Sequence, residues 1–139
     1  MRALAPLVRN LTHLDLEKNC LTDAGMYVLA SAARRMRHLQ VTGARLTLQT
    51  APLLCNAPRV RQTLRSLLVG GTGAMTSIEA KQVVESCDRL TRLYVWSQMT
   101  EDECAELQRY AQARSGRLSN EIVVLAKPRN TQNANIDAM

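Results

Sequence analysis

Two histidines and an aspartate are the first side chains whose types and spacing would support chemistry. His13 and Asp15 share one side of a predicted strand, and His38 takes the place of His13 in the next strand. Neighbouring strands lie about 4.8 Å apart, so the two imidazoles would reach one metal ion with help from the carboxylate. Two exposed imidazoles in register are the simpler interpretation. We therefore predict no metal site and no cofactor.

Other catalytic patterns are weak. The run GGTG at residues 70–73 suggests a phosphate-binding loop, but it lacks the Lys-Ser/Thr ending of that motif and falls where a predicted strand ends. No serine or cysteine has a general base at a meaningful spacing. We predict that the chain is not an enzyme and takes no small-molecule substrate.

The spacing of the four cysteines indicates the redox state of the compartment and suggests no catalytic role. They are Cys20, Cys55, Cys87 and Cys104. Each lies about one structural unit from the next, without the CxxC pairs of a zinc site or the clustering of a disulfide framework. We predict buried or half-buried thiols in a reducing intracellular compartment, cytoplasmic or, as the alternative, mitochondrial.

Composition limits the fold that positions these residues. The 139 residues suffice for one domain, and 46% of them are hydrophobic, with no Phe and one Trp. The core is therefore predicted to be aliphatic. No apolar run approaches the roughly 20 residues of a membrane span, so we predict none.

The elements repeat along the chain. A leucine is followed two positions later by leucine or valine in four places: Leu14 and Leu16, Leu39 and Val41, Leu67 and Val69, and Leu93 and Val95. A threonine that follows an apolar residue recurs with a similar period, as Thr22, Thr47, Thr76 and Thr100. Because two independent sets of positions agree, we predict four strand–loop–helix units.

The recurring threonine predicts where each helix begins. Threonine is a good N-cap, and Thr76 and Thr100 are each followed three residues later by the glutamate of a capping box. The second unit is irregular because Pro52 falls inside its expected helix. We predict a short or late-starting helix there, with Pro52 in its first turn.

The stretch LTHLDLEKNCLTDAGMYVLA, residues 11–30, resembles the leucine-rich repeat of ribonuclease-inhibitor type. The matching positions are Leu11, Leu14, Leu16, Asn19, Leu21, Gly25 and Leu29. The resemblance continues over residues 11–115 in degenerate form, with Ala44 and Thr72 in place of the asparagine. It implies an α/β leucine-rich-repeat solenoid, with a short parallel sheet on the concave side and helices on the convex side. It also implies binding to a macromolecule, usually a protein, without catalysis.

The chain divides into four segments on this basis. Residues 1–10 are predicted to be the end of a preceding helix or an N-terminal cap, and 11–115 four leucine-rich repeats. Residues 116–126 are predicted to be a terminal strand, and 127–139 a polar tail. Because the start has no capping motif, we expect a partner or a longer parent chain to cover that end.

Repeat alignment predicts the side chains that project from the concave side. Tyr94 and Trp96 lie two apart on one strand and so share a face with Arg92, which is the composition of a binding hot spot. The predicted partner-binding residues are Tyr94, Trp96, Arg92, Leu68, Gln40 and His38. The alternative is that the C-terminal strand or tail folds over Tyr94 and Trp96.

The positive charge is concentrated in the middle of the chain. The net charge is +6, and residues 24–78 contain no Asp or Glu. The arginines of this predicted basic surface are Arg34, Arg35, Arg37, Arg45, Arg59, Arg61 and Arg65. Such a surface is either simply solvated or contacts an acidic protein or RNA. The absence of interleaved aromatic residues argues against RNA.

These patterns together predict a non-catalytic protein-interaction module. It would bind a macromolecular partner through the concave face and the basic surface, as a scaffold or subunit of a larger complex. The alternative is a structural subunit of a large ribonucleoprotein or organellar assembly that contacts RNA through its arginines.

Overall fold

Strands and helices alternate along the chain in a computed structural model that describes residues 5–16, 21–41, 46–70, 75–115 and 123–128. The strands are β1 (His13–Asp15), β2 (His38–Val41), β3 (Ser66–Gly70), β4 (Arg92–Met99) and β5 (Val123–Pro128). The helices are α1 (Ala5–Val8), α2 (Asp23–Ala32), α3 (Thr50–Cys55), α4 (Pro58–Thr63), α5 (Ser77–Ser86) and α6 (Glu101–Ser115). The described chain therefore has the α/β architecture that the sequence predicts.

The five strands form one parallel sheet in chain order. Its pairing places Leu14, Leu39, Leu67 and Leu93 opposite one another in a single row. Two parallel neighbours cannot be joined by a tight turn, so a crossover must lie between them, and the helices supply it. The predicted register of the four units is thus confirmed.

The core is built from rows of aliphatic side chains that cross the sheet. Leu39, Leu67 and Leu93 are at most 1% exposed, and the next row on the same face, from Val41 to Val95, is fully buried. A further row lies before the strands and consists of Met36, Leu64 and Leu90. With no Phe in the chain, methionines supply part of the bulk of this core, and Met26, Met36, Met75 and Met99 are fully buried.

The helices cover one face of the sheet. Leu29, Leu54, Val83 and Leu107, from four different helices, are buried in the same cluster as the strand leucines. Because side chains alternate along a strand, the intervening strand residues project to the opposite side. We call that side the open face and define it by His13, Asp15, His38, Gln40, Ser66, Leu68, Arg92 and Tyr94.

No helix in the described ranges is long and apolar enough to cross a bilayer.

Three of the four predicted threonine caps are present. The Gly25 N–H donates to the Thr22 hydroxyl at 3.3 Å. At α6 the Glu103 N–H donates to the Thr100 hydroxyl and the Thr100 N–H donates to the Glu103 carboxylate, both at 3.1 Å. Thr76 and Glu79 form the corresponding box at α5. These hydrogen bonds satisfy N–H groups that a helix leaves unpaired at its start.

The fourth predicted cap is wrong. α3 begins only at Thr50, and Gln49, at its N-cap position, contributes no side-chain hydrogen bond. Thr47 donates from its N–H and its hydroxyl to the Asp23 carboxylate of the preceding unit, and its hydroxyl accepts the Gln49 N–H at 3.2 Å in the turn before α3. The late start and the place of Pro52 in the first turn agree with the prediction. A second short helix, α4, follows with Pro58 at its first position and was not anticipated.

The terminal strand lies further along than predicted. β5 ends at Pro128 and not at residue 126, so it includes two residues that were assigned to the tail. Pro128 pairs with Met99 beyond an irregularity in the ladder, as proline can on an edge strand. The expectations for residues 1–4, 116–122 and 129–139 lie outside the described residues.

Candidate functional site

The open face carries two rows of side chains that run across the strands. The first row is His13, His38, Ser66 and Arg92, and the second is Asp15, Gln40, Leu68 and Tyr94. Both rows follow the alignment predicted from the repeats. They change from histidine and carboxylate at β1 to arginine and tyrosine at β4, so the two ends of the face offer different chemistry.

The rings of the two histidines in the first row pack against each other at a tilt. Their ring centroids are 4.3 Å apart with an interplanar angle of 31°, and His13 Nδ1 is 2.8 Å from the Thr12 hydroxyl. Burial is the main cause that lowers the pKa of His38, and the positive charges of Arg65, Arg37 and Arg92 act in the same direction. His38 therefore favours the neutral form more than a free imidazole does.

The described residues give the metal interpretation no support. Among them, no group of three His, Cys, Asp or Glu side chains comes together as a metal site would require. The two imidazoles pack against each other at a tilt. What the arrangement offers is a pair of titratable rings beside several guanidinium groups.

Arg37 and Arg65 lie directly beside this pair, where β2 and β3 begin. The Arg37 carbonyl accepts hydrogen bonds from the N–H groups of Arg65 and Ser66, at 2.8 and 2.9 Å. Both arginine side chains are exposed. They line a cavity of about 410 Å³ with Gln62, Thr63, Asp88 and Arg89. Two members of the predicted basic surface thus border the open face.

The other arginines of the predicted basic surface are spread more widely. Arg34 and Arg35 are exposed in the connection after α2. Arg59 lines a different cavity of about 420 Å³ with Tyr27 and Pro52 on the helix side. Arg61 acts on the thiols of the helix layer, and Arg45 lies outside the described residues. The linear run of arginines is therefore divided between the strand starts and the helix layer.

The second row supplies the apolar part of the open face. Leu68 and Tyr94 pair in register on β3 and β4, and both are half-buried, as is Gln40 on β2. The backbone of Trp96 pairs with Gly70 and Lys127, while its side chain lies outside the described part. The joint role of Tyr94 and Trp96 stays a prediction.

The polar groups of the helix layer hold neighbouring helices together. Arg114 of α6 donates to the Glu85 carbonyl at 2.7 Å and to Asp88 at 2.9 Å, and the Tyr110 hydroxyl donates to the Glu85 carboxylate. Lys81 of α5 pairs with Glu106. These hydrogen bonds and ion pairs give the named side chains a structural role, because they link α6 to α5 and to the residues that follow α5.

The cysteines in the described part have the environment of structural residues. Burial raises the pKa of Cys87 to about 12 and also raises the pKa of Cys55 and Cys104. All three are free, and they are buried or half-buried as predicted. A thiol that stays protonated at neutral pH is a poor nucleophile. Cys20 lies outside the described residues.

Residues 9–30 match the family model for the Leucine Rich repeat. The described part of this stretch contains β1 and α2, so the chain holds a leucine-rich repeat at this place. Such repeats generally mediate protein interactions, typically without catalysis. Neither the curated proteins nor the solved structures include a significant match to the chain.

The structure brings part of the predicted basic surface next to the open face, although the sequence analysis predicted these as two separate surfaces. Arg37 precedes His38 on one strand and Arg65 precedes Ser66 on the next, so the basic surface and the open face meet there. The repeat alignment predicts this meeting, because Arg37 and Arg65 each stand one residue before a member of the first row and so lie where a strand begins. Listing the arginines only by their order in the sequence does not reveal it.

Proposed function

We propose that this chain is a protein-interaction module in which residues 11–115 form four leucine-rich repeats of ribonuclease-inhibitor type, stacked as a solenoid. The match over residues 9–30 supports the first unit. The continuation of its leucine and valine rows into β2, β3 and β4 supports the others. The open face is the surface that binds a protein partner within a larger complex.

The observation that carries this proposal is the apolar row on the open face. Leu68 and Tyr94 lie side by side among polar neighbours, with Arg92 in the adjacent row. Tyrosine and arginine are over-represented among the residues that dominate binding energy, especially when a partner excludes water from them. An apolar centre with a charged rim is the usual anatomy of such an interface.

The proposed role is non-catalytic and intracellular. The imidazoles of the open face pack against each other, and the described thiols are held protonated by burial. Neither group has the environment of an activated nucleophile. The free thiols favour a reducing compartment.

Affinity purification of the full chain with mass spectrometry tests the proposal. Tyr94→Ala should remove the specific partner that the wild-type chain retains. Ile78→Ala, at a position 65% exposed on α5, is the matched control and should retain it. Equal recovery of the partner with Tyr94→Ala and the wild-type chain would contradict a role for the open face.

A second function is favoured by one observation. Arg37, Arg65 and Arg89 line the same cavity, which suits a structural subunit of a ribonucleoprotein or organellar assembly that contacts RNA. Nuclease treatment before purification distinguishes the two. Loss of the associated species after treatment would favour the RNA-bound subunit, and retention would favour the protein module.

A further inference from the structure

Five cationic or titratable side chains gather where the open face meets the strand starts. We call His13, Arg37, His38, Arg65 and Arg92 the strand-start cluster. His13, His38 and Arg92 belong to one row across the sheet, and Arg37 and Arg65 precede that row by one residue. Adjacent strands are separated by about 4.8 Å, so the cluster crosses the sheet from β1 to β4 over about 14 Å.

The arginines of the cluster are not neutralised by acids within the described residues. The ion pairs found there all lie in the helix layer, between Lys81 and Glu106 and from Arg114 to Glu85 and Asp88. Asp88 borders the cavity of Arg37 and Arg65 but is bound to Arg114. Among the described residues, the cluster therefore carries more positive than negative charge.

We infer that the strand-start cluster binds a carboxylate-rich segment of the protein partner. This inference rests on the proposed function and names the chemistry of the partner at the edge of the same face. Guanidinium groups bind carboxylates through paired, charge-assisted hydrogen bonds. Bases of single-stranded RNA stack on aromatic faces, and within the cluster the only rings are those of His13 and His38, which pack against each other at 4.3 Å between centroids.

His38 makes this binding dependent on pH. His13, Arg37, Arg65 and Arg92 place positive charge near His38, and Asp15 of β1 lies on the same face, in register with Gln40. A bound carboxylate offsets that charge and favours protonated His38. Binding is then coupled to proton uptake, so affinity for an acidic segment rises as the pH falls toward 6.

Fluorescence anisotropy with labelled poly-L-aspartate tests this inference on the full chain. Poly-aspartate stays ionised between pH 6.0 and 7.5, so a change in affinity over this range reports on the protein. We expect tighter binding at pH 6.0 than at pH 7.5. Arg65→Gln and Arg37→Gln should each weaken binding about fivefold, the effect of one surface charge pair. His38→Gln should reduce the difference between the two pH values, and an unchanged difference would contradict the role of His38.

Arg59→Gln is the matched control, because it removes the same charge from an exposed position in the helix layer. It should weaken binding by less than about twofold, as expected for a screened, distant charge. Equal losses for Arg59→Gln and Arg65→Gln would overturn the inference, since they would show attraction by net charge alone. No measurable binding of poly-aspartate would also overturn it.

A single-stranded RNA of equal charge is the remaining arm of the test. If RNA binds more tightly than poly-aspartate and Arg65→Gln weakens that binding, the cluster is a nucleic-acid site and the inference fails. The proposed function is tested separately. If Tyr94→Ala loses the protein partner while Arg65→Gln and Arg37→Gln retain it, the open face remains the proposed interface. Only the inference that the partner has an acidic segment then fails.

Discussion

Asp23 of α2 binds Thr47 of the following unit through two hydrogen bonds. The Thr47 N–H donates to one carboxylate oxygen at 3.1 Å and its hydroxyl donates to the other. A similar tie links Ser77 of α5 to Glu103 of α6, at 3.2 Å. These contacts join successive units at the same level of the helix layer, beside the apolar rows that join them through the core.

The Asp23 tie should have a measurable effect on stability. Asp23→Ala leaves two donors of Thr47 without their acceptor, and we expect a loss of about 0.5–1.5 kcal/mol, the net contribution of a typical hydrogen bond, because the contact is exposed. Asp102→Ala is the control, because it also removes an acid from the first turn of a helix. Urea denaturation should show a larger loss for Asp23→Ala. Equal losses would mean that only the helix dipole is affected.

Leu67 occupies the centre of the strand row and is fully buried. Leu67→Ala should lower the free energy of unfolding by about 2–5 kcal/mol, because it removes buried methyl groups and leaves a cavity. Leu48→Ala, at a position 45% exposed, should cost much less. A thermal shift near zero for Leu67→Ala would contradict the assigned register.

The repeating apolar positions made much of the fold predictable. Leu14, Leu39 and Leu67 recur at one position of each unit, and a parallel register is the arrangement that buries them all on one side. The caps at Thr76 and Thr100 were equally readable, because a glutamate three residues later completes each motif. Both signals are local or periodic, and a single sequence contains them.

The irregular unit was less predictable for a physical reason. Pro52 and Pro58 each favour the first turn of a helix, and together they divide one expected helix into α3 and α4. Thr47 was then free to bind Asp23, a contact between residues 24 positions apart. Such tertiary hydrogen bonds leave no periodic trace. The meeting of Arg37 and Arg65 with the histidines likewise depends on register between strands.

Stability should depend on pH through His38. Its pKa is lower in the folded chain than its ordinary value of 6.5, so the unfolded chain takes up the proton first. Stability therefore falls as the pH drops from 7.5 through 6.5 toward the folded pKa. The melting temperature of His38→Gln should fall less over this range than that of the wild-type chain. Parallel curves for both proteins would contradict the assignment.

The aromatic pair Tyr94 and Trp96, which the sequence predicts to share one face, should matter for binding more than for folding. Tyr94→Ala and Trp96→Ala should each weaken partner binding by about 2 kcal/mol, a hot-spot magnitude, with small changes in melting temperature. Titration calorimetry with the isolated partner measures this. The control is deletion of residues 129–139. If deletion shifts Trp96 fluorescence to the red and Trp96→Ala lowers the melting temperature but not the affinity, the pair is structural.

Site-specific photo-crosslinking in cells tests the central claim most directly. A benzoylphenylalanine at Gln40, in the middle of the open face, is compared with one at the exposed Ile78 of the helix layer. We expect the Gln40 probe to form a discrete, nuclease-resistant adduct with one protein and the Ile78 probe to form none. Adducts to that protein from Ile78 alone, or from both positions equally, would contradict binding through the open face.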